Sequence, residues 1–189
     1  MTTDLGRPRN RQIDDAVLAA TAELIGEVPY AELSVGAIAQ RAGTSKPAIY
    51  RRWPSKAHLV HEAVFPIGEA TRIPSTGSLA GDIREMVRRV AAILAPARAA
   101  LPGLIGEMAA DPTLHAALLE RFGDVITRGL GDFLSDAAAR GEVRPDVSAD
   151  ELAEAVAGIT LVSLLTRGAA PDNDWLDRAA TLIMRGIST

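Results

Sequence analysis

The apolar positions of this chain recur every three or four residues, and no strand-length stretch alternates. Between Gln12 and Ile25 they fall at Ile13, Val17, Leu18, Ala20, Ala22, Leu24 and Ile25. That is the stripe of a helix, which residues 26–29 end with Gly26 and Pro29. Ser34 is placed to cap a short helix over 35–42, and Gly43 to end it in a left-handed conformation. Thr44 or Ser45 caps the next helix. Its first turn holds Pro47, where a missing N–H costs nothing. Pro54 stops it after Trp53. Ser55 then caps a longer helix that begins with Lys56 and runs towards Glu69 or Arg72. Residues 73–78 are short, polar and rich in breakers, and form the best linker in the chain. Five further helices are expected over 79–95, 98–110, 113–140, 149–167 and 173–187. The pattern predicts an all-α fold without hairpins, internal repeats or low-complexity tracts.

A length of 189 residues allows one compact domain or a small domain fused to a medium one, and 48% hydrophobic residues suffice for a core. The longest apolar runs fall well short of the roughly 20 residues that a membrane helix needs. Residues 1–10 hold no apolar signal region, so a cytoplasmic protein is expected, with no membrane partner. There are no cysteines, which excludes disulfides, thiolate metal sites and cysteine nucleophiles.

The net charge of −4 conceals an asymmetry. Residues 1–66 carry eight Lys/Arg against seven Asp/Glu, and the remainder twelve against seventeen. No acidic residue lies between Glu32 and Glu62, a window that holds Arg41, Lys46, Arg51, Arg52 and Lys56. A surface facing phosphates needs such a window, although a chance gap on a solvated face reads the same way by charge alone.

Residues 34–53 have the spacing of a helix-turn-helix. Ala39 is small where the second helix must cross, Gly43 lies in the turn, and Ile49 packs the second helix on the first, with Val35 and Ile38 completing the inner face. Ser45, Lys46, Ala48, Arg51 and Arg52 are left pointing outward. Small and basic residues on a short helix suit a major groove. A plain helical hairpin would show the same packing pattern.

From Leu33 to Lys56, and most of all over Ala42-Gly-Thr-Ser-Lys-Pro-Ala-Ile-Tyr-Arg-Arg-Trp-Pro-Ser-Lys56, the chain resembles the DNA-binding domain of the TetR family of bacterial transcriptional regulators. The match runs from near Ile13 to near Phe65. The rest is similar only in being helical and of suitable length. The resemblance implies a homodimer that binds a palindromic operator, usually as a repressor, and releases it when a small molecule enters the C-terminal domain. With the boundary placed near the linker at 73–78, the chain is expected to divide into a basic arm (1–11), a helix-turn-helix domain (12–54), a connecting helix (55–72) and an effector-binding and dimerisation domain (73–189). The resemblance also implies that Lys46, Pro47 and Ala48 face base edges, and that Thr44 and Ser45 contact phosphate or bases. It further implies phosphate contacts at Tyr50, Arg51 and Lys56, and at the amides that follow Ser34, around Val35 and Gly36. Trp53 is expected in the core. His58 is expected near the DNA-facing edge, where a solvated helix residue reads equally well.

Arg7-Pro8-Arg9 resembles the core of a minor-groove hook, and a plain basic tail fits it equally well. The last two helices are apolar in more than one direction. Leu152, Val156, Ile159, Trp175, Ala179, Leu182 and Ile183 are the candidates for a dimer interface, and burial within one domain is the alternative. Only Phe122, Phe133 and Trp175 are aromatic beyond Phe65, so small side chains must fill most of the larger domain. They leave room for an apolar effector, with Leu104, Met108, Phe122, Ile126 and Leu165 as lining and Glu107 and Arg121 as polar anchors. A cavity-free core is the alternative. His58 and His61 are three apart on one helix with Glu62 beside them, but there is no HExxH motif and no obvious further ligand, so no metal and no cofactor are expected. The competing class, a helical small-molecule-binding protein or enzyme without DNA function, finds no acid/base cluster on a single helix face.

Overall fold

The computed structural model describes residues 11–65, 74–167 and 171–189, and the side chains within them except at 117–128. These residues form nine α-helices: α1 (Arg11–Glu27), α2 (Val35–Arg41), α3 (Lys46–Tyr50), α4 (Lys56–Val64), α5 (Leu79–Leu94), α6 (Leu101–Ala110), α7 (Pro112–Ala139), α8 (Ala149–Arg167) and α9 (Asn173–Ile187). A single antiparallel bridge joins Val143 to Ser188. The described part of α4 ends at Val64. Its expected course to Glu69 or Arg72 lies outside the described residues, as does the arm with Arg7 and Arg9.

Short polar side chains start most helices, because the first N–H groups of a helix have no partner within it. The hydroxyls of Ser34, Ser45, Ser55 and Ser78 accept from the amides of Ala37, Ala48, His58 and Gly81 at 3.1–3.3 Å. The Asp111 and Asp172 carboxylates do the same for α7 and α9. Ser148 and Glu151 bond each other's amides reciprocally at the head of α8. Two helices end on a glycine with positive φ. At α2, Gly43 (φ 64°) donates to Gln40 and Thr44 donates to Ala39. At α7, Gly141 (φ 72°) and Glu142 repeat that pattern on Ala138 and Ala137.

Two cores result. The second lies within the C-terminal helices. There α5 packs against α8 and α9, and Ile83, Val87, Leu130, Leu134, Leu152, Val156, Trp175, Ala179 and Ile183 exclude water together. The first is built on Val17, Leu24, Ile38, Ile49, Leu59 and Val60 of α1–α4. It does not stop at the linker, but takes in Leu101 and Leu104 of α6, Leu114 of α7 and Leu164 of α8. Leu101, Leu104 and Met108 form one face of α6, and that face covers the four-helix unit.

This placement corrects several expectations. Leu104 is 1% exposed and packs in the first core with α1–α4. Met108 packs against the same core. Leu165 is exposed, because α8 presents its other faces to α5 and α7. Arg121, Phe122 and Ile126 fall among the side chains outside the description. Among the described side chains, Leu104 and Met108 face the first core while Leu165 faces solvent. An apolar hollow of about 200 Å³ lies elsewhere, lined by Ala22, Ile25, Ala63, Val64, Ile93, Pro96 and Ala97, where α1 and α4 meet the end of α5. Of the seven expected interface residues, Leu152, Val156, Trp175, Ala179 and Ile183 are buried in their own protomer, since they line the stripe that faces the second core. Ile159 is half-buried against that core. Leu182, at 66% exposed, points away from it.

The shared first core yields a prediction. Leu104→Ala lowers stability by about 2–5 kcal/mol, as a fully buried leucine does when truncated. Urea unfolding followed through tryptophan fluorescence checks it, read in a Trp175→Phe background so that Trp53 reports alone; a loss below about 1 kcal/mol would show that α6 merely lies on the surface of that core.

Candidate nucleic-acid interface

The helix-turn-helix geometry follows from three residues of the sequence pattern. Ala39 and Ile49 are buried at the crossing of α2 and α3, and Gly43 turns the chain between them with nothing near its Cα that a side chain would strike. Its positive φ, rather than lack of space, calls for glycine there. Trp53 is buried after α3 and donates its indole N–H to Glu62 of α4 at 2.9 Å, which fixes the angle at which α4 leaves. His61, also buried, stacks beside Phe65 with ring centroids 4.7 Å apart. His58 is half-buried, with Nδ1 2.9 Å from the Ser55 hydroxyl.

Within the five-cation window, α3 and its C-cap Arg51 present Lys46, Pro47, Tyr50 and Arg51 to solvent, and Tyr50 is 51% exposed. The stem of Lys46 crosses α2 closely. A Cβ on Gly36 would lie 2.7 Å from its Cε, so Gly36 leaves the path along which the lysine lies. Among the described residues neither Lys46 nor Arg51 forms an ion pair. The other three cations are engaged. Arg41 grips Glu27 with two bonds of 2.8 and 3.0 Å and touches Glu23 at 3.4 Å. The Arg41 hydrogen bond holds the Glu27 carboxyl below its ordinary pKa. Arg52 pairs with Asp14 of α1, both groups being largely shielded, and donates to the Ala48 carbonyl at 3.1 Å. Lys56 donates to the Tyr30 carbonyl at 2.9 Å and sits 3.9 Å from the centroid of the Tyr30 ring.

The expected contacts divide accordingly. Ser34 and Ser45 are exposed but spend one hydroxyl lone pair on capping, and Thr44 is half-buried. Ala48 was expected to point outward; instead it is 9% exposed and belongs to the inner face of α3, so its methyl is not offered to a base. The Val35 side chain is buried, which leaves only its amide for a ligand. The position of Lys56 over Tyr30 and the loss of Arg41 and Arg52 to ion pairs were not foreseen. These contacts join residues 14 to 38 positions apart in the chain, and helical periodicity carries no record of them.

Glu107 and Tyr30 form a further junction that sequence reading missed. Burial and the nearby charge of Glu107 raise the Tyr30 phenol far above its ordinary pKa. Glu107 thus faces the N-terminal unit.

Comparison with known proteins agrees with this geometry. Residues 17–63 match the model of bacterial regulatory proteins of the tetR family, and residues 73–183 match the tetracyclin repressor-like C-terminal domain. The DNA-binding transcriptional repressor TetR of Mycobacteroides abscessus is 34% identical over 175 residues, with 86% of this chain and 87% of the relative covered. An HTH-type transcriptional regulator of Mycobacterium tuberculosis is 30% identical over 159 residues, covering 84% and 79%. The crystal structure of the TetR family transcription regulator SCO0332 superposes with a TM-score of 0.72 at 25% identity, over 94% of this chain and all of that one. GusR of Salmonella enterica has the same fold, with a TM-score of 0.66 at 20% identity and coverage of 96% and 97%. The chain belongs to the TetR family and is a helix-turn-helix DNA-binding transcriptional regulator, not an enzyme.

Proposed function

We propose that the protein is a cytoplasmic homodimeric repressor that binds a palindromic operator and leaves it when a small lipophilic molecule binds the C-terminal unit. The observation that carries the DNA contact is the solvent-facing row of Lys46, Pro47 and Tyr50 on α3 with Arg51 at its C-cap, held by a helix-turn-helix whose crossing is tightly packed. Lys46 and Pro47 reach base edges, and Tyr50 and Arg51 reach phosphate. Thr44, Ser45 and the amides of Val35 and Gly36 supply further backbone contacts. The repressor role is supported by the relative from Mycobacteroides abscessus, whose name states it. The division after residues 11, 54 and 72 follows the breaker-rich linker at 73–78.

Dimerisation is supported by the second apolar direction of α8. Ala155, Val162 and Leu165 are exposed on one side of that helix, Val162 to 58%, and Leu182 is exposed on α9. An apolar row of this kind needs a cover, and two-fold pairing supplies one from the same residues. The interface is therefore proposed around Val162, Leu165 and Leu182, not around the buried stripe. The low aromatic content beyond Phe65 supports a lipophilic effector. Among the described residues no helix is long and apolar enough to cross a membrane.

Selection of bound duplexes from a random pool tests the function: a palindromic consensus is expected, and recovery of no sequence above background would reject the reading. On the selected duplex, Lys46→Ala costs about 1–3 kcal/mol and relaxes preference at one position per half-site. Tyr50→Phe weakens binding evenly across sequences, as loss of a phosphate contact does. Fluorescence anisotropy against single-base variants separates the two.

A charge on the exposed row tests the dimer. Val162→Glu and Leu182→Glu leave helicity unchanged, because both sites face solvent in the single chain, but give monomers that hold DNA poorly. Sedimentation at micromolar concentration reads this directly, and a wild-type monomer there would refute the interface.

A further inference from the structure

Tyr30 lies outside both expected sites, yet three parts of the molecule meet on it. Its backbone belongs to a tight turn in which Glu32 and Leu33 both donate to the Pro29 carbonyl, at 3.0 and 3.2 Å. That turn runs directly into Ser34, the cap of α2. Lys56 is the first residue of α4, just after α3. Its ammonium is bonded to the Tyr30 carbonyl and lies over the Tyr30 ring. The entry to the helix-turn-helix and its exit are thus tied together at one residue.

The third part is α6. A Cβ added to Gly103 would fall 2.6 Å from Cδ1 of Tyr30 and 2.8 Å from its Cβ and Cγ, closer than packed atoms tolerate. Only glycine lets the α6 backbone rest on this ring. Glu107, one turn on and on the same face, stands by the buried phenol. Gly106 is different: a Cβ there would meet nothing within 4 Å. The two glycines weaken the helix alike, but only Gly103 is explained by a contact.

We propose that Tyr30 is a wedge through which the position of α6 sets the spacing between the entry and exit of the helix-turn-helix, and with it the placement of α3 on DNA. Tyr30 and Gly103 are positioning residues, and neither touches DNA. A packed ring against a helix backbone does not compress, so a shift of α6 moves the turn at 29–33 and Lys56 with it. The proposal deepens the reading of a regulator whose C-terminal unit controls DNA binding, and rests on it for its consequence.

Gly103→Ala and Gly106→Ala make the pair that tests the wedge, since each adds one methyl and the same gain in helix propensity. Hydrogen exchange on the full-length protein without DNA is the first readout. Gly103→Ala is expected to speed exchange at 30–34 and 56–60 by about tenfold or more, and Gly106→Ala to leave it unchanged. In a Tyr30→Ala background the methyl at 103 meets no ring, so Gly103→Ala is expected to add nothing further, an interaction that a double-mutant cycle isolates. The double variant also keeps the comparison readable if Gly103→Ala alone folds poorly.

The second readout is the selected duplex with its half-site spacing lengthened or shortened by one base pair. A purely structural lesion weakens all spacings alike. The wedge predicts that Gly103→Ala narrows the preference for the native spacing by about tenfold while Gly106→Ala keeps it. If no duplex is selected by the wild type, the DNA reading fails and the exchange comparison still decides the wedge. Equal exchange in the two glycine variants would overturn it, as would an unchanged spacing preference in Gly103→Ala.

Discussion

The burial of one face of α6 against α1–α4 is the contact on which the arrangement of the two units depends. A unit of α1–α4 alone is small, and a chain of that size buries too little surface to be more than marginally stable. Leu101 and Leu104 supply what it lacks. Each is almost wholly removed from water, and each such leucine contributes about 1.5–3 kcal/mol. Ala97, Ala100, Leu114 and Leu164 extend the same core from the C-terminal side. The helix that completes the DNA-binding core is thus covalently part of the C-terminal unit. Any change in how α6 leaves α5 or enters α7 is felt at the packing of α4, because the two cannot separate without exposing these leucines. The coupling follows from the economy of the core rather than from a dedicated relay.

Much of this was legible in the sequence, and the reasons are local. Ser34, Ser45, Ser55 and the Gly43 turn announce their helices through interactions spanning three or four residues, which a sequence displays openly. Ala39, Ile49 and Trp53 are buried as the spacing of the motif requires. The failures are all matters of direction or of long range. Ala48 lies on a helix of five residues, too short for its apolar face to be fixed by periodicity. On α8 both Val156 and Val162 belong to apolar rows. Periodicity identifies the rows but does not say which one meets α5, and the outward one held the exposed residues. Gly103 and Glu107 sit 73 and 77 positions from Tyr30, and no local pattern links them. A helical glycine that nothing nearby accounts for was the one available signal, and Gly106 carries the same signal without the contact.

The basic window illustrates how a correct count can mislead about its use. Five cations without an acid between Glu32 and Glu62 suggest a broad phosphate-facing surface. In the fold, acids from outside the window, Asp14, Glu23 and Glu27 of α1, come back across α2 and α3 to meet Arg52 and Arg41. These pairs hold α1 against the helix-turn-helix. The Arg41 pair is exposed and contributes little to stability, while the better shielded Arg52 pair fixes the base of α3. Lys56 is likewise turned inward onto Tyr30. What remains of the window on the solvent side of α3 is Lys46 and Arg51.

With a net charge of −4 and only Lys46 and Arg51 outward at α3 among the described residues, that face gains little from long-range attraction to a polyanion. Each phosphate neutralised adds one increment of salt-dependent affinity, so a short list of charges gives a correspondingly modest electrostatic term. Under the proposed function the balance would come from contacts that need exact placement: the Tyr50 hydroxyl, the amides of Val35 and Gly36 and the fit of a short helix in the groove. Placement-dependent contacts lose most of their value when α3 is displaced by an ångström or two, whereas diffuse charge attraction barely notices. The internal pairing of Arg41, Arg52 and Lys56 stiffens the unit. Under the proposed function it would also shift DNA affinity from charge, which a conformational change cannot switch, to geometry, which it can.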